Sequence, residues 1–196
     1  MDSKASRRQE AVLGAAFRHL LDHGKPLTVD DLAAMVAIPA EDVEAELRSL
    51  AVEGRVRRDR SGDVVGILGL SLEPTDHEIV VAGRRRWTWC AYDAVGILGA
   101  LGRGGLIRSR SPLGGTLLEI AFDGGRSVNN EIVLFVPDGP VESVVDEWCP
   151  HVNFFLDAAA AARWSDARGL SGEALPIDDL TRTGAEYWGQ YVKAAS

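Results

Sequence analysis

Cysteine is almost absent from this sequence: two residues in 196, Cys90 and Cys149, each directly after a tryptophan. So few thiols exclude a disulfide-rich scaffold. Long apolar runs are missing as well. Nothing approaches the roughly 20 residues that a membrane helix needs, and the opening MDSKASRRQEAVLG has no apolar stretch of the secretory kind. These absences predict a cytoplasmic chain with no membrane partner, in which thiols stay reduced. Positive charge is short too. The formal net charge is −8, so the overall balance gives nucleic-acid binding no support. There is no GxSxG elbow, and Ser109 and Ser111 lie in a polar loop without a matched base. The glycines of GALGRGG lack the order of a nucleotide fingerprint and serve better as the end of a helix. We find no internal repeat.

What is present is an ordinary globular composition, 46% hydrophobic and 26% charged, enough for one sizeable core or two small ones. Val12, Leu13, Phe17, Leu20 and Leu21 recur at helical spacing over residues 8–22, and His23-Gly24 stops the run. Thr28 is placed to cap a second helix, with Asp31 three residues on and Leu32, Met35 and Val36 turned inward. Pro39 suits the first turn of a third helix, striped by Val43, Leu47 and Leu50 and ended by Gly54. Residues 55–58 and 64–68 read as a hairpin around Ser61-Gly62. Three helices and a hairpin resemble a winged helix. The third helix carries Glu41, Asp42, Glu44, Glu46 and Glu53 against Arg48 alone. Phosphate would repel such a helix from the major groove, although Arg55, Arg57, Arg58 and Arg60 of the wing could touch a backbone. A structural or dimerising role therefore fits better than DNA binding.

Residues 71–80 form a linker or the first strand of a second domain. Residues 90–101 read as a buried helix, with a strand running into a helix as the alternative, and Gly102–Gly105 end it. TLLEIAF (116–122) and EIVLFVPD (131–138) read as strands joined by a turn at Asp123-Gly124-Gly125. A partly alternating stretch, 149–157, runs into an alanine-rich helix, and Asp178 is placed to cap a last helix reaching about Lys193. The expected fold class is α+β: a winged-helix-like three-helix domain over residues 1–75, then a mixed α/β domain with a mostly antiparallel sheet over 76–196.

Cys90 and Asp93, on one helix, would share a face. Apolar neighbours should raise the carboxyl's pKa and make it a proton donor or acceptor near neutral pH. A helix N-terminus and Arg84, Arg85 and Arg86 would favour the Cys90 thiolate. Such a pair suits soft-metal chemistry coupled to proton transfer. Blander readings stand beside this one: Cys90 as a small buried hydrophobe, and Asp93 as a cap or an arginine partner. Zinc held by Cys90, Cys149, His151 and His77 lacks the usual paired short spacings, and a Cys90–Cys149 disulfide needs an oxidising compartment.

Trp89-Cys90-Ala91-Tyr92-Asp93, in its apolar segment, resembles the first active-site segment of the organomercurial (alkylmercury) lyases. Cys149 with His151-Val152-Asn153-Phe154-Phe155 resembles their second. The resemblance implies a lyase-like catalytic domain over 76–196 that splits a carbon–mercury bond by protonolysis, giving a hydrocarbon and Hg(II). It implies Cys90 and Cys149 as mercury-binding thiolates and Asp93 as proton shuttle, with no cofactor and Hg(II) bound as product. Trp87, Trp89, His151 and Phe154 are candidates to line the substrate pocket. The further cysteine that such enzymes carry beside the second one is replaced here, because Trp148 and Pro150 flank Cys149. Small-molecule thiols or a mercuric reductase would then take the product. The alternatives from other classes are a metal-responsive winged-helix regulator and a non-catalytic thiol protein. A sensor needs ligands but no proton donor, so Asp93 separates them.

Overall fold

A computed structural model describes residues 3–128, 131–139 and 143–192. By its internal contacts the chain falls into two units: residues up to Glu73 with those from Gln190 on, and Pro74–Gly189.

In the first unit α1 (Ser3–His23), α2 (Val29–Val36) and α3 (Ala40–Val52) precede the antiparallel strands β1 (Val56–Arg58), β2 (Val64–Ile67) and β3 (Leu70–Ser71). The helices form where the apolar stripes predict them. Phe17, Leu20, Leu32, Val43, Leu47 and Leu50 are all fully buried. Thr28 caps α2 by accepting the Asp31 N–H at 3.1 Å. Pro39 is the residue before α3 rather than its first turn. Met35, expected inside, is 52% exposed. The buried face of α2 is centred between Leu32 and Ala33, and Met35 lies roughly a third of a turn away from it. The β1–β2 hairpin carries less free charge than its arginines suggest. Arg58 makes a bidentate pair with Glu44 of α3, at 2.9 and 2.8 Å, and its guanidinium holds the Glu44 carboxyl below the usual range.

The second unit is α+β with antiparallel sheets. The strands β4 (His77–Val81) and β5 (Arg84–Thr88) form a hairpin, followed by α4 (Ala91–Leu101), β6 (Gly105–Arg110), β7 (Leu117–Asp123) and β8 (Arg126–Ser127). They pair in the order β5-β4-β6-β7-β8. A smaller sheet pairs β9 (Val133–Pro137) between β10 (Asn153–Phe155) and β11 (Gly172–Pro176). Two helices complete the fold, α5 (Ala158–Asp166) and α6 (Ile177–Val192).

Three expectations change here. The turn at Gly124-Gly125 joins β7 to the two-residue β8, not to the strand at 133–137, which belongs to the other sheet. Both glycines have positive φ, 54° and 77°, which a two-residue hairpin turn demands. Asp178 lies within the first turn of α6 and accepts a bond from the Ser127 hydroxyl at 2.8 Å, so it is not the cap. Lys193 lies outside the described residues. Residues 90–101 combine both readings of the sequence: β5 runs almost directly into α4, with Cys90 as its N-cap.

Alternation along the larger sheet sorts its faces. Ile79, Ile107, Ile120 and Thr88 are fully buried on one side, whereas Glu78, Arg85, Arg108 and Glu119 form a charged network on the other. Gly105 of β6 admits the Leu98 side chain of α4 on the buried side. Helix α6 crosses α4 where Gly184 meets Gly96, and the Trp188 ring occupies the space over Gly96. Among the described residues no helix is long and apolar enough to cross a membrane.

A Cβ at Gly96 would lie 2.3 Å from the Trp188 ring. Gly96→Ala should therefore cost about 1–3 kcal/mol through overpacking, read as a lower urea midpoint with unchanged slope. A midpoint equal to wild type would show that the crossing has slack.

Candidate active site

The site begins where β5 ends. Thr88 is buried, and its hydroxyl donates to the Cys90 carbonyl at 2.9 Å. Cys90 itself is extended, φ −145° and ψ 175°, and starts α4. Its N–H donates to the Asp93 carboxylate at 2.9 Å, while the Asp93 N–H points back to the Cys90 sulfur. This is a capping box with sulfur in the place of the usual hydroxyl. Its effect is to hold the carboxylate beside the thiol.

The second segment is built from tight local turns. Ser143 caps a single π-helical turn, Val144–Trp148, by accepting the Asp146 N–H at 3.2 Å. A 3₁₀ turn, Cys149–His151, follows, with Pro150 fixing its start. Asn153 then reaches back to the Pro150 carbonyl at 2.9 Å. The Ala91 N–H, at the first position of α4, donates to the Val152 carbonyl at 3.2 Å. That bond ties the second segment to the first.

The outcome is a cluster. The Cys90 and Cys149 sulfurs and an Asp93 carboxylate oxygen all lie within 4.8 Å of one another. The three residues are 0%, 6% and 7% exposed respectively, and both cysteines are free thiols. Burial pushes the Cys90 thiol well above its ordinary range; the hydrogen bond to Cys149 and the charge of Asp93 add to it. The sequence suggested the opposite, a thiolate favoured by the helix terminus. The Asp93 N–H does pull that way, but loss of water outweighs it. A thiol held protonated by burial and a carboxylate that accepts a backbone N–H are therefore packed together. Such a set can exchange a proton for a soft cation.

The other candidates are placed around or away from this cluster. Phe154 is fully buried, its ring edge-on to His77 at 5.9 Å. Trp89 is half-buried in the link between β5 and α4. Trp87 lies on the face of β5 opposite Thr88, under the Arg85 guanidinium at 5.8 Å. His151 is half-buried, its ring 6.4 Å from that of Trp164. His77 is hydrogen-bonded to the Ser109 hydroxyl at 2.8 Å, and burial pushes its pKa down to about 4. Neither histidine joins the cluster among the described residues, so the zinc set is not assembled. Of the three arginines invoked for the thiol, Arg85 instead pairs with Glu78, and Arg86 donates to the Arg85 carbonyl. Two aromatic residues escaped the sequence reading. Tyr92 and Trp148 meet edge to face at 5.9 Å, and their one sequence signal was adjacency to the reactive residues.

Known proteins resemble this chain closely. The family described as alkylmercury lyase matches residues 70–189. The alkylmercury lyase of Staphylococcus epidermidis is 32% identical over 178 residues, which is 88% of this chain and 79% of that protein. The alkylmercury lyase of Bacillus cereus is 31% identical over 175 residues, 86% of this chain and 78% of its own. Among solved structures, the mercury-bound form of MerB2 superposes with a TM-score of 0.85 over 95% of this chain and 92% of that one, at 22% identity, a likeness of fold.

Two pH effects follow. At equal pH the Cys90 thiol should react with iodoacetamide more slowly than free cysteine, with a rate still climbing above pH 9; a plateau by pH 8 would contradict the raised pKa. Separately, the unfolded chain protonates His77 near pH 6.5 while the folded chain resists until about 4. Stability should therefore fall as pH drops through that window, by about 3 kcal/mol at most. Urea titrations of wild type and His77→Asn should show a flatter pH profile in the variant.

Proposed function

The chain belongs to the alkylmercury lyase family and is an enzyme of that kind, and from this premise we propose that it splits the carbon–mercury bond of an organomercurial with Cys90, Cys149 and Asp93. The observation that carries the reading is the buried cluster of two sulfurs and one carboxylate within 4.8 Å.

The chemistry follows from that set. Mercury is soft and prefers sulfur to nitrogen or oxygen. An organomercurial arrives with a small thiolate as its second ligand. Cys90 bonds to mercury, and its proton leaves on the displaced thiolate as free thiol. Metal coordination removes this proton despite the raised thiol pKa, because the cation replaces it. Cys149 then adds as a second sulfur, and its proton passes to the Asp93 carboxylate. Two sulfur donors raise the electron density on the mercury-bound carbon. The carbon–mercury electron pair takes the proton back from the Asp93 carboxyl, the hydrocarbon departs, and Hg(II) stays between the two sulfurs. Burial keeps water from competing for that proton. Two incoming thiols finally exchange with the bound ion, remove Hg(II) and return both cysteines to the protonated state.

No resident cofactor enters this scheme; mercury is the substrate's own atom. Small-molecule thiols or a mercuric reductase act as acceptors in a cytoplasmic setting. The boundary near residue 75, the winged-helix character of the first unit and its structural role are parts of the same proposal. Phe154, Trp89 and His151 remain pocket candidates. Trp87, beneath Arg85 on the far face of β5, is the weakest of the four.

In excess thiol, the purified protein should release benzene from phenylmercuric acetate. Cys90→Ser and Cys149→Ser should each abolish turnover, since either leaves mercury with one sulfur. Asp93→Asn should keep Hg(II) binding and lose roughly 10²–10⁴-fold in kcat. Wild-type turnover by Asp93→Asn would refute the proton shuttle.

A further inference from the structure

Cys149 sits on a segment with little packing of its own. The π-helical turn before it buries none of its residues, yet the Cys149 sulfur must stay beside that of Cys90. Downstream, the segment is tied by the Ala91–Val152 backbone bond and by the pairing of β10 with β9. Upstream, Trp148 projects onto Tyr92, with ring centroids 5.9 Å apart and planes at 88°. Tyr92 is the second residue of α4, between Cys90 and Asp93 in the chain. Tyr92 also packs against Trp188, with ring centroids 5.6 Å apart and planes at 65°. Trp188 in turn is seated over Gly96, where a side chain would displace it. Tyr92 therefore packs against two tryptophan rings, one of them seated over Gly96.

We infer that Tyr92 is a positioning residue: its ring latches Trp148 and so holds the turn that carries Cys149 against the helix that carries Cys90 and Asp93. The latch works through the edge-to-face preference of aromatic rings, positive edge to negative face. It needs the ring of Tyr92 and not its hydroxyl. Its catalytic consequence rests on the two-sulfur reaction proposed above; its structural consequence does not. With the latch gone, the Cys149 turn opens more often while the capping box around Cys90 and Asp93 stays formed.

The test is alkylation of the whole purified chain by iodoacetamide, with each cysteine quantified by peptide mass spectrometry. Tyr92→Leu and Trp148→Leu should each accelerate Cys149 alkylation about three- to tenfold, the change expected for loss of one aromatic pair. The double variant should be no faster than either single, and Tyr92→Phe should match wild type. In both leucine variants Cys90 should be accelerated less than Cys149. Unchanged Cys149 labelling in Tyr92→Leu, multiplicative effects in the double variant, failure of the phenylalanine to rescue, or equal acceleration of both cysteines would each overturn the latch. Turnover of phenylmercuric acetate is measured alongside. It should fall in Tyr92→Leu and recover in Tyr92→Phe. If Cys149 is released in Tyr92→Leu and turnover does not change, the latch stands and the two-sulfur reaction fails.

Discussion

One backbone hydrogen bond, from the Ala91 N–H to the Val152 carbonyl, joins the two stretches of chain on which the proposed chemistry depends. Such a bond contributes only about 1 kcal/mol net, but its position matters more than its strength. Ala91 follows Cys90, and Val152 closes the turn begun by Cys149. The bond thus sets the register in which two sulfurs from distant parts of the sequence meet. Several elements of the second unit support that meeting. The β4–β5 hairpin delivers Thr88 to the Cys90 carbonyl, α4 supplies the N-terminal cap, and the small sheet anchors β10 behind the second cysteine.

The cluster is a compromise between burial and charge. Excluding water from Cys90 disfavours its thiolate, so Cys90 rests as a thiol. A bare buried thiolate pair beside a carboxylate would place three like charges together. Keeping Cys90 protonated avoids that, and the incoming soft cation then supplies the positive charge that the site lacks. The Cys90 backbone N–H donates to the Asp93 carboxylate, which orients it beside the thiol. In the proposed reaction this lets it accept a proton from one sulfur side and give it to carbon on the other.

Much of this was legible in the sequence, for physical reasons that differ by residue. Thr28 with Asp31 announced a cap because capping is local. Leu47 and Leu50 announced a buried stripe because helical period is local too. The segment WTWCAYDAVGIL fitted both a strand and a helix, and the fold uses both, with the change at Cys90. What stayed hidden depended on tertiary contact. A two-residue strand such as β8 carries no periodicity, so the turn at Gly124-Gly125 was assigned to the wrong partner. Trp87 was grouped with Trp89 by proximity in the chain, but alternation along β5 sends it to the charged face. The thiolate expected of Cys90 followed from the helix terminus and Arg84, Arg85 and Arg86; burial, which the sequence offered only as a separate reading of Cys90, decides the matter. Composition and spacing raised an encounter of Cys90 with Cys149 only as a zinc set or a disulfide, both disfavoured; the family resemblance brought the two-thiolate site into view.

The central claim is that both sulfurs hold one mercury atom with the carboxylate alongside. A crystal structure of the protein loaded with Hg(II) tests it most directly. The account predicts a single ion bonded to the Sγ atoms of Cys90 and Cys149, with an Asp93 oxygen next to it. Mercury on one sulfur only, or bound elsewhere with the cluster unchanged, would contradict it.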